Sequence, residues 1–362
     1  MLNLNVYFLC SCQFDNLGDL IINKLLIDEL GKYGKVYLDI SNAPIEFKRP
    51  LLQNNRVVDI STLRKKNHSW IVRQYRYYRF LYSNKISLIT TSPGPIYTDK
   101  STNIKSLMLI YYKHFMLSLL HIKQIDIGTC CSNHIYNHSS IQIPLSEKYY
   151  LRSLDSVSYF RHNLKVDSAE YIPDLCFLLG KNPTKKFIKN RIAILDLRVI
   201  EGEDELLLNW TKSIINSFQK QNFEVVIYYQ VGSDYLMASK LYELLKEFSN
   251  VSFHRECIWY EDLSFFEDKM FVVSNRMHSL LIGAAYGSFP ICLYNDTSVT
   301  RKILNVFDSA FSPELPLIYK DGAIPNLQYE NIYNKYINRL ETDFILNSQK
   351  CHSTIERIID SL

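Results

Sequence analysis

The feature that most constrains the fold is the alternation of short apolar runs with amphipathic stretches in the second half of the chain. Between residues 191 and 294 the apolar runs read RIAILDLR, FEVVIYYQV, KMFVVS and PICLY, and segments of helical periodicity separate them. Runs this short suit strands that are buried on both faces of a parallel sheet. The pattern predicts an α/β, Rossmann-like domain over residues 190–362, ending in a helical tail.

The first half repeats the alternation less regularly. LNVYFL (4–9) predicts a buried strand, LIINKLLIDELGKYG (20–34) a helix, and KVYLDI, RVVDI and ISLITT further strands. The polar stretch 180–190 is the predicted linker. Since 362 residues suit two domains better than one core, we expect a second Rossmann-like domain over residues 1–180, with a cleft between the two.

Composition excludes some classes of protein. A net charge of +4 is too small for a nucleic-acid-binding protein, although it favours anionic ligands. The N-terminus lacks the basic region and cleavage site of a secretory signal, and eight cysteines then indicate reduced thiols in a cytoplasm. Residues 106–123 are apolar, but Lys113 and His114 interrupt them, so we do not expect them to span a bilayer.

Glycine spacing excludes two kinds of nucleotide site. No two of the 11 glycines are separated by a single residue, so the G-x-G-x-x-G loop of dinucleotide-binding domains cannot occur. The P-loop sequence G-x-x-x-x-G-K-[ST] is also absent. The sequence therefore predicts Rossmann-like domains without either loop.

Cysteine and histidine cluster once, in CCSNHIYNH (130–138). Cys130, Cys131, His134 and His138 have a spacing that could seat zinc. No C-x-x-C pair supplies the usual second half of a structural zinc site. We therefore expect no metal here.

Basic and aromatic residues interleave over residues 63–85, LRKKNHSWIVRQYRYYRFLYSNK. One interpretation is a solvated helix face with tyrosines packed beneath it. The other is a surface for anionic headgroups or for a lipid-linked diphosphate, which would give a peripheral contact with the inner face of the membrane.

The turn FDNLGDLI (14–21) follows the first predicted strand. Asp19 could be a helix N-cap and Gly18 could permit a tight turn. However, open α/β sheets bind ligands beyond the carboxyl ends of their strands, so Asn16, Gly18 and Asp19 are also candidate substrate-binding residues. Both interpretations stay open.

The stretch SNRMHSLL (274–281) places two basic residues at a predicted helix start. Arg276 and His278 follow strand 269–274, and a helix N-terminus offers free N–H groups and a positive dipole end. Extra cations there are unfavourable unless an anion binds. Arg198 ends another strand of this domain, and Arg152 precedes a strand-like run. These arginines predict a ligand with more than one negative charge.

Four stretches, in order along the chain, resemble the polysaccharide pyruvyl transferase family. FDNLGDLI resembles its N-x-G-D turn, and IAILDLR resembles the opening strand of its second domain. SNRMHSLLIGAAYGSFP resembles its R-x-H segment, which is followed by a small-residue helix and G-x-P. The block over residues 151–179 supplies its remaining motif, through Arg152, Asp155, Ser158, Pro173 and Asp174.

The resemblance implies a GT-B-like fold and transfer of pyruvate from phosphoenolpyruvate to a sugar, forming a cyclic ketal. The acceptor would be a precursor of a cell-surface polysaccharide, as a sugar or a lipid-linked oligosaccharide. On this hypothesis His278 is the general acid, and Arg276 and Arg198 hold the phosphate and carboxylate. Asp19 and Glu201 are candidates for the base. No step needs a metal or a cofactor besides the donor substrate.

Two alternatives remain at this point. The first is a GT-B nucleotide-sugar glycosyltransferase of surface polysaccharide synthesis, since a diphosphate would also suit the helix at Arg276. Such an enzyme would need an acidic residue to bind the ribose of the nucleotide, and Glu261 and Glu267 are the candidates in this region. The second is a catalytically silent scaffold in a polysaccharide-synthesising complex.

Overall fold

The computed structural model describes residues 4–63, 69–96, 104–131, 146–179, 188–198, 204–294, 298–320 and 328–362. The chain divides into two compact units. Unit 1 comprises Met1–Phe14, Asp19–Leu175 and Lys350–Leu362, and unit 2 comprises Asp15–Gly18 and Cys176–Gln349.

The units differ from the expected domains in two segments. Residues 15–18 group with unit 2, although they lie near the N-terminus, and residues 350–362 group with unit 1. Short-range sequence patterns cannot reveal such exchanges, because they depend on tertiary contacts. Most of the predicted linker (180–190) lies outside the described residues.

Unit 1 is an α/β unit around one parallel sheet. Its elements are β1 (Leu4–Leu9), α1 (Leu17–Gly31, which starts in the segment grouped with unit 2), β2 (Gly34–Asp39), α2 (Ile45–Leu51), β3 (Val57–Asp59), α3 (Trp70–Ser83), β4 (Leu88–Thr91), β5 (Gly94–Ile96), α4 (Ile104–Leu119), β6 (Lys123–Cys131), β7 (Lys148–Leu151), α5 (Leu154–His162) and β8 (Ala169–Tyr171). Across the described residues the strand order is β3-β2-β1-β4-β6-β7-β8, and β5 pairs with β6.

Unit 2 contains a second parallel sheet. Its elements are β9 (Asn190–Asp196), α6 (Asp204–Gln219), β10 (Glu224–Ile227), α7 (Tyr235–Leu245), β11 (Val251–Phe253), β12 (Lys269–Ser274), α8 (Met277–Ala285), β13 (Phe289–Tyr294), α9 (Ser298–Ala310), β14 (Ile318–Lys320) and α10 (Tyr329–Asp360, whose last residues belong to unit 1). The strand order in the described part is β11-β10-β9-β12-β13-β14. The prediction of two Rossmann-like domains with a helical tail is confirmed.

The β12–α8–β13 segment follows the sequence prediction closely. The run KMFVVS forms β12 with all but its first residue buried, as a central parallel strand requires. Gly287 has φ +80, the left-handed conformation that commonly ends a helix, and it lies just after the C-cap of α8. The chain therefore turns directly from α8 into β13.

Between β7 and β8 the structure differs from the sequence prediction. Arg152 was expected to precede a strand-like run, but it follows β7, and the next residues form α5. Ser153 is the N-cap of α5, and its side chain accepts a hydrogen bond from the Ser156 N–H. This cap, together with Asp155 in the first turn, favours a helix over a strand.

Candidate functional site

The candidate site lies at the carboxyl edge of the unit 2 sheet, where β12 passes into α8. Arg276 is the N-cap residue of α8 and has extended backbone angles, and His278 is the second residue of the helix. The Arg276 side chain makes no capping hydrogen bond. The start of α8 therefore keeps the positive dipole end that the sequence predicted, in contrast to the side-chain-capped start of α5.

Arg276 is not an unpaired cation, which corrects part of the sequence argument. Its guanidinium forms an ion pair with Asp234, and both side chains are nearly buried, with exposed fractions of 13% and 10%. Its Nε is buried and has no hydrogen-bond partner among the described residues. Asp234 thus holds the guanidinium in place and offsets part of its charge.

A buried polar network supports this start of α8 from beneath. Ser279 donates a hydrogen bond to Asp196, the last residue of β9, and Gln230 donates one to the Ser279 oxygen at 2.6 Å. Ser274 bonds the Asp196 carbonyl at 2.5 Å and accepts from the Arg276 N–H at 2.9 Å. The network links the ends of β9 and β12 to the first turn of α8.

Burial sets the protonation of the two carboxyl groups. Asp196 is fully buried, and desolvation raises its pKa to about 6, although the charge of Arg276 and the Ser279 hydrogen bond oppose this. Burial also raises the pKa of Asp234, against the charges of Arg276 and Arg198. Burial therefore favours the protonated form of both carboxyl groups.

Arg198 joins the same edge of the sheet through its backbone. Its N–H donates to the Asn275 side chain at 2.7 Å, and the Asn275 amide donates back to the Arg198 carbonyl at 2.9 Å. Asn275 is 1% exposed, whereas the Arg198 residue is exposed. This reciprocal pair fixes the backbone of Arg198 and leaves its side chain at the surface.

The segment Asp15–Gly18 packs against the unit 2 sheet edge. Asn16 forms an antiparallel bridge with Val231, and the Leu17 N–H donates to the Gln230 carbonyl at 3.2 Å. A Cβ built on Gly18 would lie 2.6 Å from both Cβ and Cγ of His278 and closer still to its Nδ1. A side chain at position 18 has no room, because the Gly18 backbone lies against the imidazole.

Asn16 and Asp19 have local roles that the sequence assigned differently. The Asn16 side chain accepts from the Gly18 N–H at 2.9 Å, so Asn16, and not Asp19, supplies the capping oxygen at the start of α1. Asp19 lies in the first turn of α1 and accepts from the Gln13 N–H at 3.1 Å, which fixes the loop after β1.

Arg152 has a structural role in unit 1. It is 5% exposed, donates to the Asp174 carboxylate at 2.9 Å, and reaches the Cys130 sulfur at 3.1 Å. A guanidinium that is buried and paired in this way is fully engaged within the core of unit 1. The interpretation of Arg152 as a substrate-binding residue therefore has no geometric support, while the pair does explain why Arg152 and Asp174 both occur in this block.

The remaining candidate residues from the sequence lie either near a 3-10 turn of unit 2 or outside the described residues. Glu261 is exposed in the 3-10 turn Tyr260–Phe266, and Glu267 follows that turn. Glu201, His134 and His138 lie outside the described residues. No group of three or more residues that could hold a metal ion occurs in the part of the chain that the structure describes.

Sequence reasoning missed Asp196, Ser279, Gln230, Asp234 and Asn275. Asp196 carried a usable signal, since it is a carboxylate placed inside the apolar run RIAILDL. A charge in such a run must find partners when it is buried. The other four residues are unremarkable in sequence, and only the packing of β9, β10 and β12 brings them together.

Comparisons with known proteins show the fold. No family model matches the chain, and no curated protein matches it. Among solved structures, HepE of Anabaena in complex with UDP-glucose is 11% identical, with a TM-score of 0.60 over 99% of this chain and 100% of that one. A glycosyltransferase from Rickettsia africae is 9% identical, with a TM-score of 0.57 over 98% and 97%. UDP-GlcNAc 2-epimerase from Methanocaldococcus jannaschii is 11% identical, with a TM-score of 0.54 over 99% of both chains. At these identities the likeness shows the fold alone, and the chain has the GT-B fold.

Proposed function

We propose that this protein is a glycosyltransferase that uses a nucleoside-diphosphate sugar as donor and a carbohydrate as acceptor. The observation that carries the proposal is the likeness over nearly the whole chain to GT-B proteins of sugar metabolism, including one solved with UDP-glucose. Since one fold hosts several activities, the chemistry of the α8 N-terminus provides the second support for this function.

That N-terminus suits a diphosphate. Backbone N–H groups at a helix start and a fixed guanidinium bind phosphate oxygens without a metal. The charge of Arg276 is partly offset by Asp234, so the site favours a diphosphate with dispersed charge over a compact trianion. During glycosyl transfer, negative charge develops on the departing diphosphate, and preorganised donors there lower the barrier.

The position of His278 supports a role at the same group. It is the second residue of α8, two positions after Arg276, and Gly18 lies against its imidazole ring. An imidazole at a helix start can donate a hydrogen bond or a proton to a leaving oxygen. We assign Arg276 to holding the donor and His278 to assisting its departure.

Pyruvyl transfer from phosphoenolpyruvate is the second candidate, and one observation favours it. Two of the segments that resemble the pyruvyl transferase family, around Gly18 and around Arg276 and His278, are 260 positions apart in sequence and in contact in unit 2. A shared motif whose parts meet in space supports a shared site. In this mechanism His278 would protonate the methylene carbon, and Arg276 with Arg198 would hold the anionic groups.

Thermal unfolding with each donor separates the two candidates. UDP-glucose, UDP-N-acetylglucosamine, GDP-mannose and phosphoenolpyruvate would be compared at millimolar concentration, with inorganic phosphate as the control. A nucleotide sugar at about 100 times its Kd adds roughly 2.7 kcal/mol of stability, so we expect a clear rise in Tm with at least one. A rise with phosphoenolpyruvate alone would replace the first proposal with the second.

Variants then assign the residues. We expect Arg276→Gln to weaken binding of the stabilising donor by about 1.5–3 kcal/mol, roughly 10- to 150-fold in Kd. His278→Ala should leave donor binding nearly unchanged and lower turnover about a hundredfold or more. Arg255→Gln, at an exposed arginine elsewhere in unit 2, is the matched control. Calorimetry and steady-state kinetics measure both effects, and full activity of His278→Ala would remove the histidine from the mechanism.

A further inference from the structure

Helix α4 of unit 1 carries a stripe of exposed apolar side chains. Met108, Tyr111, Tyr112, Phe115 and Leu119 follow one another at helical spacing, and between 40% and 66% of each is exposed. Residues at intervals of three and four share one face of a helix. The solvent-facing side of α4 is therefore apolar, where a surface helix usually presents polar residues.

Helix α3 extends the same surface. Ile71, Tyr75 and Tyr82 lie on one side of α3 and are 71%, 62% and 73% exposed. The rings of Trp70 and Tyr112 lie 6.5 Å apart, and those of Tyr78 and Tyr112 lie 6.1 Å apart. The two helices thus lie side by side, and we call their combined exposed stripes the α3–α4 face.

Packing in the core does not account for this face. The inner sides of both helices already meet in one hydrophobic cluster that contains Tyr77, Tyr78 and Leu81 of α3 and Leu117 of α4. Both helices are therefore apolar on two sides. Contiguous exposed apolar side chains mark surfaces that meet a membrane or a partner.

The charges of the two helices decide between those occupants. Arg73, Arg76 and Arg79 lie on α3, and Lys105 and Lys113 lie on α4. Neither helix contains an aspartate or glutamate. Arg76 and Arg79 are exposed. A second copy of this chain on the same face would bring together two basic surfaces whose helices carry no acidic residue, which is unfavourable. An anionic bilayer surface supplies both the negative charge and the apolar layer.

We propose that the α3–α4 face binds the surface of a bilayer that contains anionic phospholipids. The aromatic and aliphatic side chains enter the headgroup boundary, while the arginines contact lipid phosphates. No helix of the described residues is long and apolar enough to cross a membrane. The inference does not depend on which donor the α8 site binds.

Vesicle flotation tests the apolar part. Wild-type protein is expected to float with phosphatidylcholine vesicles containing about a third phosphatidylglycerol at low salt, and much less with phosphatidylcholine alone. Met108→Glu combined with Phe115→Glu should lower the bound fraction at least tenfold. Leu236→Glu combined with Leu346→Glu changes two exposed leucines of unit 2 and should leave binding unchanged.

A second pair of variants tests the charge without touching the apolar stripe. Arg76→Gln with Arg79→Gln should weaken binding to the anionic vesicles roughly tenfold or more and flatten its salt dependence. Lys220→Gln with Arg255→Gln removes two exposed charges of unit 2 and should have little effect. Far-UV circular dichroism and Tm confirm that each variant is folded.

Three results would overturn the proposal. The first is wild-type protein that stays unbound to anionic vesicles at low salt. The second is an equal loss of binding in the control pairs. The third is a dimer in analytical ultracentrifugation that Phe115→Glu dissociates while vesicle binding is absent, which would make the face a contact between copies of the chain.

Discussion

The two buried arginine–aspartate pairs differ in how much of their side chains is exposed to solvent. In unit 1 the Arg152–Asp174 pair is 6% and 1% exposed, and the adjacent helix α5 has its own cap from Ser153. In unit 2 the Arg276–Asp234 pair is 13% and 10% exposed, and Arg276 itself occupies the N-cap of α8 without capping it. The same two residue types therefore form a structural pair in one unit and a candidate anion site in the other.

The position of an arginine–aspartate pair relative to a helix start affects whether the pair can take part in binding an anion. The Ser153 cap already satisfies one N–H group at the start of α5, whereas an arginine at an uncapped helix start adds its charge to the positive end of the helix dipole. Variants at these positions test this difference, beginning with those that should change stability most.

Removing each arginine should affect stability unequally. We expect Arg152→Met to lower the free energy of unfolding by about 3–5 kcal/mol, because it leaves the Asp174 carboxylate buried without its counter-charge. Arg276→Met should cost less, under about 2 kcal/mol, since Asp234 lies nearer to solvent. Urea unfolding measures both, and equal losses would mean that the two pairs are equally structural.

The close approach of Gly18 to His278 should have the next largest effect on stability. We expect Gly18→Ala to cost about 1–3 kcal/mol of stability, because its Cβ would overlap the imidazole. Gly232→Ala is the matched control, since the nearest atom to its Cβ is Asp15 Cβ at 3.9 Å, and we expect a change within about 0.5 kcal/mol.

The Gly18→Ala/His278→Ala double variant tests the cause of that loss. Removing the ring should restore only part of the lost stability, because the Cβ of residue 278 would still lie 2.6 Å from the new Cβ, and a double-mutant cycle by urea unfolding would show that part as a coupling. Additive losses would place the strain at the Cβ of residue 278 or elsewhere in the segment Asp15–Gly18.

The smallest expected effect is a pH dependence from Asp196. Its folded pKa of about 6 lies above the ordinary value of 3.8, so between these values the folded state holds more protons than the unfolded state. Stability should therefore fall as pH rises from about 4 to 6, by roughly 1–2 kcal/mol. Asp196→Asn should remove this slope, measured by urea unfolding across that range.

Ser279→Ala sharpens the same measurement. The Ser279 hydrogen bond lowers the pKa of Asp196, so removing it should raise that pKa. The fall in stability with rising pH should then continue to a higher pH. A profile identical to that of the wild type would show that the Ser279 hydroxyl does not stabilise the ionised carboxyl group.

The sequence predicted most in unit 2 and least in the middle of unit 1. The apolar run of β12 and Gly287 after α8 gave boundaries within about one residue, because a buried strand and a left-handed helix end leave local signatures. β6, β7 and β8 were not predicted, since strands such as KQIDIGTCC mix polar and apolar residues. The polar residues of that strand are satisfied by partners distant in sequence, such as Asp126 by Thr91 and Ser146.

Local sequence patterns were enough to predict the two α/β halves, the helical tail and the basic residues at the start of α8, because periodicity and helix-end chemistry are local properties of the chain. The role of each arginine depends instead on long-range packing. Asp174 closes the Arg152 guanidinium into a core, Asp234 holds that of Arg276 at a helix start, and Gly18 meets His278 across 260 positions of sequence. Such pairings depend on the packing of distant segments, which no local pattern specifies.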